Sequence, residues 1–409
     1  MFKKKVLLVA IGDELVLGLK REDNVSWLSS ELALRDYDVR ALEVIRDEEE
    51  ILIELLNYWV GKVDLIVISG GLGPTHDDKT RAAIAKFLDV PLVRDDETYD
   101  CIIARHSLGS KKNLEGCRDK QASIPLGSKA IFNPVGSALG FLVHAGKTEI
   151  LALPGVPMEF RAMAQQYLSG LKKGASIRLA LCKIVGWPES ELKEALGDVV
   201  KKFPNYIMFL PEPNVVTLAI KGSEELTSAL LCEIKTILED DVLPDDVSCL
   251  EEAIIALASD LNASLAFAES CTGGMVGESI TRIPGASSVF AGSAVCYSNL
   301  AKKIILGVPE KILDSFGAVS EECALAMASG AMGIFKADYV VSVTGIAGPS
   351  GGSPNKPVGT VCFAVSSARG NERAFTRHLN GDRETIRLWS KNIALEAIWR
   401  ELKRLGQKR

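Results

Sequence analysis

Leu265-Ala266-Phe267-Ala268-Glu269-Ser270-Cys271-Thr272-Gly273-Gly274-Met275 reads as a strand, a tight polar turn and the start of a helix, with a serine at the crest. The apolar run gives way to polar residues and then, near Met275, to helical spacing. Glycines in such a turn let the backbone come close to a ligand. The free N–H groups of a helix N-terminus favour an anion or a developing oxyanion. The same half of the chain repeats the arrangement. Ala294-Val295-Cys296-Tyr297 runs into Ser298-Asn299 and a helix carrying Lys302, and Tyr339–Val343 runs into Thr344-Gly345-Ile346-Ala347-Gly348-Pro349. Three apolar strands that end in polar turns predict an open α/β sheet, which binds ligands at the carboxyl ends of its strands.

Each turn alone is an ordinary structural reversal. Together they deliver Ser270, Tyr297, Lys302 and Thr344, the residue types of a serine-based amide hydrolase that works without histidine. Of the four histidines, His378 is the only one beyond residue 144. A Ser-His-Asp triad would have to use it, and a three-histidine metal site is excluded in this half.

The 409 residues are too many for one ordinary core and predict two or three domains. Net charge is −6 and nearly half the residues are hydrophobic, as in a soluble globular protein. No basic face for nucleic acid is expected, and the apolar runs fall far short of the roughly 20 residues that span a bilayer. Met1–Lys5 followed by Val6–Ile11 has the outline of a signal peptide, but the run is short and ends in Gly12-Asp13-Glu14, so it reads as a first buried strand. Nine scattered cysteines, odd in number and without a Cys-x-x-Cys pair, predict reduced thiols in a cytoplasmic protein. Cys271 reads as a small buried residue.

The first 170 residues alternate strand and helix: Val6–Ile11, a helix over Asn24–Arg35, Val39–Val44, and a helix over Glu48–Val60 that Asp47 is placed to cap. Leu65–Ile68 is a continuously apolar strand of the kind buried in a parallel sheet. It runs into Ser69-Gly70-Gly71-Leu72-Gly73-Pro74-Thr75-His76-Asp77-Asp78, ahead of a helix over Thr80–Leu88. The glycines could cradle a phosphate, which Asp77 and Asp78 would repel unless a divalent cation lay between. That pairing predicts a phosphate–metal site, with Asp13, Glu14 and Glu159 as further candidates; helix capping is the plainer reading of the aspartates. His76 reads as a surface residue. From Ser176 to Leu243 a small α+β module follows, with helices from Glu189 and over Glu224–Leu238 and no chemical cluster. Glu239–Asp246, acidic and proline-bearing, reads as a linker.

Gly70-Gly71-Leu72-Gly73-Pro74-Thr75-x-Asp77-Asp78 resembles the signature loop of the molybdopterin-binding-like domain in the competence/damage-inducible protein A (CinA) family. Asn133–Gly136 and Pro154-Gly155-Val156-Pro157-x-Glu159 are similar to that family as well. Ala268–Gly274, Tyr297–Lys302, Gly317–Ser320, Gly345–Gly352, Lys356–Thr360 and Gly381–Arg383 resemble its nicotinamide mononucleotide deamidase domain. The motifs run collinearly from about residue 5 to residue 400.

The resemblance implies an α/β protein in three parts. Residues 1–170 would be a three-layer molybdopterin-binding-like domain, 171–245 a small α+β middle module with the acidic linker, and 246–409 an α/β deamidase domain. It implies hydrolysis of nicotinamide mononucleotide to nicotinate mononucleotide and ammonia in pyridine nucleotide salvage, and in the first domain a metal-dependent ADP-ribose pyrophosphatase. Ser270 would be the nucleophile and Lys302 or Tyr297 the base. A lysine base must lose about three pKa units from roughly 10.4, for which burial beside a phenol, or a second cation such as Arg383, could provide. Backbone N–H groups after Ser270 would make the oxyanion hole. Glu269, Thr272, Gly273, Gly274, Thr344, Gly345, Ala347, Gly348, Lys356 and Arg383 would contact substrate, Lys356 or Arg383 at its phosphate. Gly70, Gly71, Gly73 and Thr75 would hold phosphate in the first domain, and Asp77 and Asp78 the divalent cation. The deamidase would need no cofactor. A homodimer acting on small nucleotides, with no membrane or nucleic-acid partner, is expected. The competing reading is a non-catalytic nucleotide- or pterin-binding accessory protein linked to competence or DNA damage.

Overall fold

The structure, a computed structural model, describes residues 4–100, 115–171 and 178–406. Met1–Lys3, the head of the signal-like segment, lie outside these, as does Ser176, where the middle module was expected to begin. The chain divides into two compact units, Met1–Arg178 and Leu179–Arg409. The middle module falls within the second unit, where it has its own core.

The first unit is built on a six-stranded sheet in the order β2-β1-β3-β8-β7-β6. Here β1 is Lys5–Ile11, β2 Asp38–Ile45, β3 Leu65–Ser69, β6 Lys129–Ile131, β7 Gly140–Ala145 and β8 Thr148–Leu153; β4 (Leu92–Arg94) and β5 (Ser123–Pro125) form a separate antiparallel pair. The first four strands of the sheet run parallel, and β7 and β6 return antiparallel. All five residues of β3 are buried, because helices cover both faces. The two-residue period of β1 divides its side chains accordingly. Leu7, Val9 and Ile11 pack with Leu52, Leu56 and Ile84 of the helices Glu49–Trp59 and Thr80–Leu88. Val6, Leu8 and Ala10 pack with Leu28, Leu32, Phe160 and Met163 of Asn24–Ala33 and Pro157–Ser169. The result is the expected three-layer α/β arrangement.

In the second unit, β9 (Arg178–Val185), β10 (Ile207–Glu212) and β11 (Val215–Gly222) form a three-stranded sheet in the order β10-β11-β9. Its core includes Leu192, Val199, Leu230 and Ile234 from the helices Glu189–Ala195, Gly197–Lys202 and Glu224–Leu238. The acidic stretch is not a free linker. Asp241 accepts from Trp187 Nε1 at 2.7 Å and pairs with Arg400 at 2.7 Å, while Lys403 reaches Asp240 at 2.9 Å.

The remaining sheet has the order β13-β12-β14-β15-β16: β12 is Leu265–Glu269, β13 Phe290–Val295, β14 Tyr339–Gly345, β15 Thr360–Ser367 and β16 Glu372–His378. β13, β12 and β14 are parallel; β15 and β16 return antiparallel. Leu265 and Phe267 pack toward the helices Leu250–Leu261 and Arg383–Gly406, Ala266 and Ala268 toward Glu321–Phe335. The carboxyl ends of the three parallel strands therefore share one edge.

Candidate active site

Glu269 ends β12 fully buried, and its carboxylate folds the turn that follows. Oε2 accepts the amides of Gly274 (2.8 Å) and Val276 (3.1 Å); Oε1 accepts the Gly277 amide (2.9 Å) and the Ser293 hydroxyl (2.8 Å). Glu269 is thus an anchor for the helix Met275–Thr281, satisfying N-terminal amides that the helix cannot pair itself. Gly273 and Gly274 have φ of +63° and +99°, which a side chain would strain. Arg387, which sequence reasoning missed, clamps the same turn by donating to the carbonyls of Cys271 (3.1 Å) and Thr272 (2.9 Å). Its signal was its place four residues after Arg383, on the same face of one helix.

This scaffold holds Ser270 Oγ 2.9 Å from Lys302 Nζ, and both residues are buried. Lys302 comes from the helix Asn299–Leu306, whose first turn is capped by the Ser298 hydroxyl accepting from the Ala301 amide. Nζ also donates to the carbonyls of Cys296 (2.9 Å) and Tyr297 (3.3 Å). No carboxylate pairs with it among the described residues, and burial pushes its pKa down. The surrounding thiols give the ammonium little support, because burial raises Cys271 and Cys323 to about 11. A neutral amine suits the geometry: two N–H bonds satisfy the two carbonyls and the lone pair faces the serine hydroxyl. Burial lowers this lysine as expected, while the Tyr297 phenol acts in the opposite sense and Arg383 plays no part in the shift.

The other expected residues are placed as follows. The Tyr297 phenol is 61% exposed as a residue and accepts from Arg383 Nη2 at 3.1 Å; only its carbonyl touches Lys302. Arg383 Nη1 donates to the Gly348 carbonyl at 2.7 Å. Thr344 is buried, its hydroxyl donating to the Ala318 carbonyl at 2.7 Å, and Ala347 is buried close by in sequence. Gly345 begins the loop at the end of β14. Lys356 donates to the carbonyls of Phe316 (2.7 Å) and Val319 (2.6 Å), so it bolts its loop to the Gly317 turn and keeps one N–H. Thr272 is buried with its hydroxyl oxygen unpartnered. Of the amides after Ser270, those from Gly273 to Gly277 donate within the turn and helix start, whereas those of Cys271 and Thr272 have no backbone acceptor among the described residues and act on Cys271 Sγ.

In the first unit the ends of β1, β3 and β8 line a cleft of about 870 Å³ that includes Gly70, Gly71, Gly73, Asp77, Asp78, Glu14 and Glu159. Gly70 and Gly71 have φ of +116° and +66°, and a Cβ on either would lie within 2.4 Å of Ile11 O or Thr80 Oγ1. Asp78 closes its own loop: it accepts the Gly73 and Thr75 amides, both at 2.8 Å, and the Thr75 hydroxyl. Asp77 is exposed beside His76. Asp47 does not cap the following helix; it accepts the Asp13 amide at 2.9 Å, and burial first, then the carboxylates of Asp13, Glu14 and Asp77, raise its pKa. Glu159 accepts from Asn133 Nδ2 at 2.6 Å. Among the described residues no three acidic, histidine or cysteine side chains converge as metal ligands. Also unforeseen was Arg81, buried behind the loop on the carbonyls of Leu72, Gln121 and Leu139 and pushed by burial to about 10.

Residues 247–402 match the family described as "CinA C-terminal domain", and residues 7–173 that described as "Probable molybdopterin binding domain". A "CinA-like protein" of Fervidobacterium nodosum is 37% identical over 402 residues, 97% of this chain and 98% of its own length. One from Thermotoga neapolitana is 35% identical over 412 residues, covering 99% and 100%. Among solved structures, the "competence/damage inducible protein CihA" from Agrobacterium tumefaciens is 41% identical over 39% of this chain and 98% of its own, with a TM-score of 0.36.

Proposed function

The chain belongs to the CinA-like family, and on that premise we propose that its second unit hydrolyses the carboxamide of nicotinamide mononucleotide to nicotinate mononucleotide and ammonia. The observation that carries the amide-hydrolase class is the 2.9 Å contact between Ser270 Oγ and a buried Lys302 with no carboxylate partner. The substrate rests on the resemblance of the motifs around it. In this reading neutral Lys302 takes the Ser270 proton as Oγ attacks the amide carbon. The resulting ammonium returns that proton to the departing nitrogen, which leaves as ammonia. Lys302 then deprotonates the water that attacks the acyl-serine and passes that proton to the departing Ser270 Oγ, freeing Ser270 and the acid, which ionises to the carboxylate. The Cys271 and Thr272 amides, which act on Cys271 Sγ at rest, would have to turn from that thiol to meet the oxyanion; losing one such donor costs about a hundred- to thousandfold in rate. The test is ammonia release from nicotinamide mononucleotide by the purified chain and by Ser270→Ala. Activity in the variant overturns the assignment.

For the first unit, the cleft at the carboxyl ends of its strands favours a nucleotide reading, ADP-ribose cleaved at its pyrophosphate. A divalent cation held at Asp77 or Asp78 would take further oxygens from the ligand's phosphates. A homodimer is supported by the helix Asn299–Leu306, which follows the edge strand β13, buries Lys302 and exposes Leu300 and Ile304.

A further inference from the structure

Asn24 opens the helix Asn24–Ala33 and lines the cleft of the first unit, yet it is only 6% exposed. Its Nδ2 donates to Ser69 Oγ at 3.0 Å and to the Gly155 carbonyl at 2.9 Å. A carbonyl only accepts, so the amide cannot be turned the other way round. Oδ1 is then buried with no donor among the described residues. A bare buried acceptor is costly, and a tether between Ser69 and Gly155 needs only the nitrogen. Ser69 Oγ, which accepts from Asn24, keeps its own O–H for another partner. The wall of the cleft thus offers an acceptor and a donor side by side.

The rest of the cleft divides by charge. Gly71 and Leu72 line it with amides that donate to no acceptor among the described residues, a place for an anionic group. Asn24 and Ser69 are neutral and suit a group with its own N–H or O–H. We propose that Asn24 Oδ1, with Ser69 Oγ, reads a neutral hydrogen-bond donor on the ligand of this cleft, an exocyclic amine or a sugar hydroxyl carried on a phosphate-bearing molecule. The proposal rests on the nucleotide reading of the cleft. It goes further by naming the residue that sets specificity and the chemistry that this residue selects.

Calorimetric titration of the full chain tests it with three probes: ADP-ribose, its N6,N6-dimethyl analogue, which lacks the amine donor, and an analogue O-methylated on its ribose hydroxyls. Wild type should bind one of the two analogues about tenfold or more weakly than ADP-ribose, and which one identifies the donor. In Asn24→Leu that discrimination should fall to near one. In Asn24→Asp, which keeps the acceptor and loses the tether, it should persist. Equal weakening of all three probes in Asn24→Leu would mark a mere tether and overturn the proposal. Should that variant not fold, wild type binding all three probes alike overturns it just as well while leaving the nucleotide reading intact. Wild type binding none of them removes both.

Discussion

Arg383 Nη2 donates to the Tyr297 phenol at 3.1 Å, while its Nη1 holds the Gly348 carbonyl at 2.7 Å. One guanidinium therefore joins the turn after β13 to the loop after β14, on the edge where Ser270 stands. On the proposed reading both loops face the substrate, so a residue that ties them acts mainly on binding. Arg383→Met should raise the Michaelis constant for nicotinamide mononucleotide about tenfold with a smaller loss of turnover. Tyr297→Phe should do less, and adding it to Arg383→Met should cost little more, because the two share one contact. Steady-state kinetics on the three variants checks this. A Tyr297→Phe variant deadlier than Lys302→Met would transfer the proton role to the phenol.

Burial sets the Lys302 pKa below its ordinary 10.5, so the folded chain releases this proton before the unfolded chain does. Between the two values the unfolded state binds more protons, and stability rises with pH. The contribution is complete above 10.5 and is lost as pH falls through the lowered folded value. Lys302→Met, which cannot charge, should therefore gain on wild type in acid, and the difference in Tm should shrink toward pH 10.5. Wild-type turnover should climb with pH through the folded value, since the neutral amine is the base. A flat rate profile, with deamidation retained in Lys302→Met, would remove Lys302 from the reaction.

The elements that sequence made legible are those whose apolar period is strong. The helices Thr80–Leu88 and Glu224–Leu238 fall on the expected residues, as does the strand–turn–helix around Ser270. What it hid depends on partners far along the chain. Glu269 looks like a ligand contact beside a nucleophile, yet its acceptors are filled by amides and by Ser293 from the next strand. The run Glu239–Asp246 looks solvated, but Arg400 and Lys403, some 160 residues later, neutralise part of it. Lys356 looks like a free loop cation and is held by two carbonyls. Local pattern reveals which residue types are present; only topology reveals what they face.

Glu269→Gln should test the anchor. The amide places an N–H₂ group where N–H and O–H donors already converge, so at least one buried donor loses its acceptor. A loss of about 2–3 kcal/mol is expected, as for a hydrogen bond to a charged group. Thermal unfolding should register it as a drop of several degrees, with residual activity falling as the turn loosens. A variant as stable as wild type would show that the turn does not depend on this carboxylate.

Asp77 and Asp78 should part company in the first unit. Asp78→Asn presents an amide to the Gly73 or Thr75 N–H that its carboxylate now accepts, so the phosphate loop should open and ADP-ribose turnover fall by at least tenfold. Asp77, exposed beside His76, accepts neither the Gly73 nor the Thr75 amide, and Asp77→Asn should act mainly through a cation shared with the ligand. Its effect should therefore vanish in EDTA, whereas that of Asp78→Asn on binding should not. Ammonia release from nicotinamide mononucleotide should be unchanged in both.

The helix Asn299–Leu306 is inverted: its lysine at 302 is 1% exposed while Leu300 and Ile304, four residues apart, are 63% and 72% exposed. Val295 and Ile305 are part-exposed as well, and β13, which precedes the helix in the chain, is an edge strand with unpaired backbone groups. Such an edge is usually blunted by charge or covered. A second copy that covers this face would bury the side of the helix opposite Lys302, fixing the helix that carries the base. Ile304→Glu should therefore shift sedimentation from dimer to monomer and lower deamidase turnover by loosening Lys302, without altering the Ser270 turn. Because each copy would place the same residue in the contact, Leu300→Glu should act alike, and the two changes together should add little once the dimer is gone. A wild-type chain that sediments as a monomer at micromolar concentration, with Ile304→Glu fully active, would leave this apolar face without a role in the reaction.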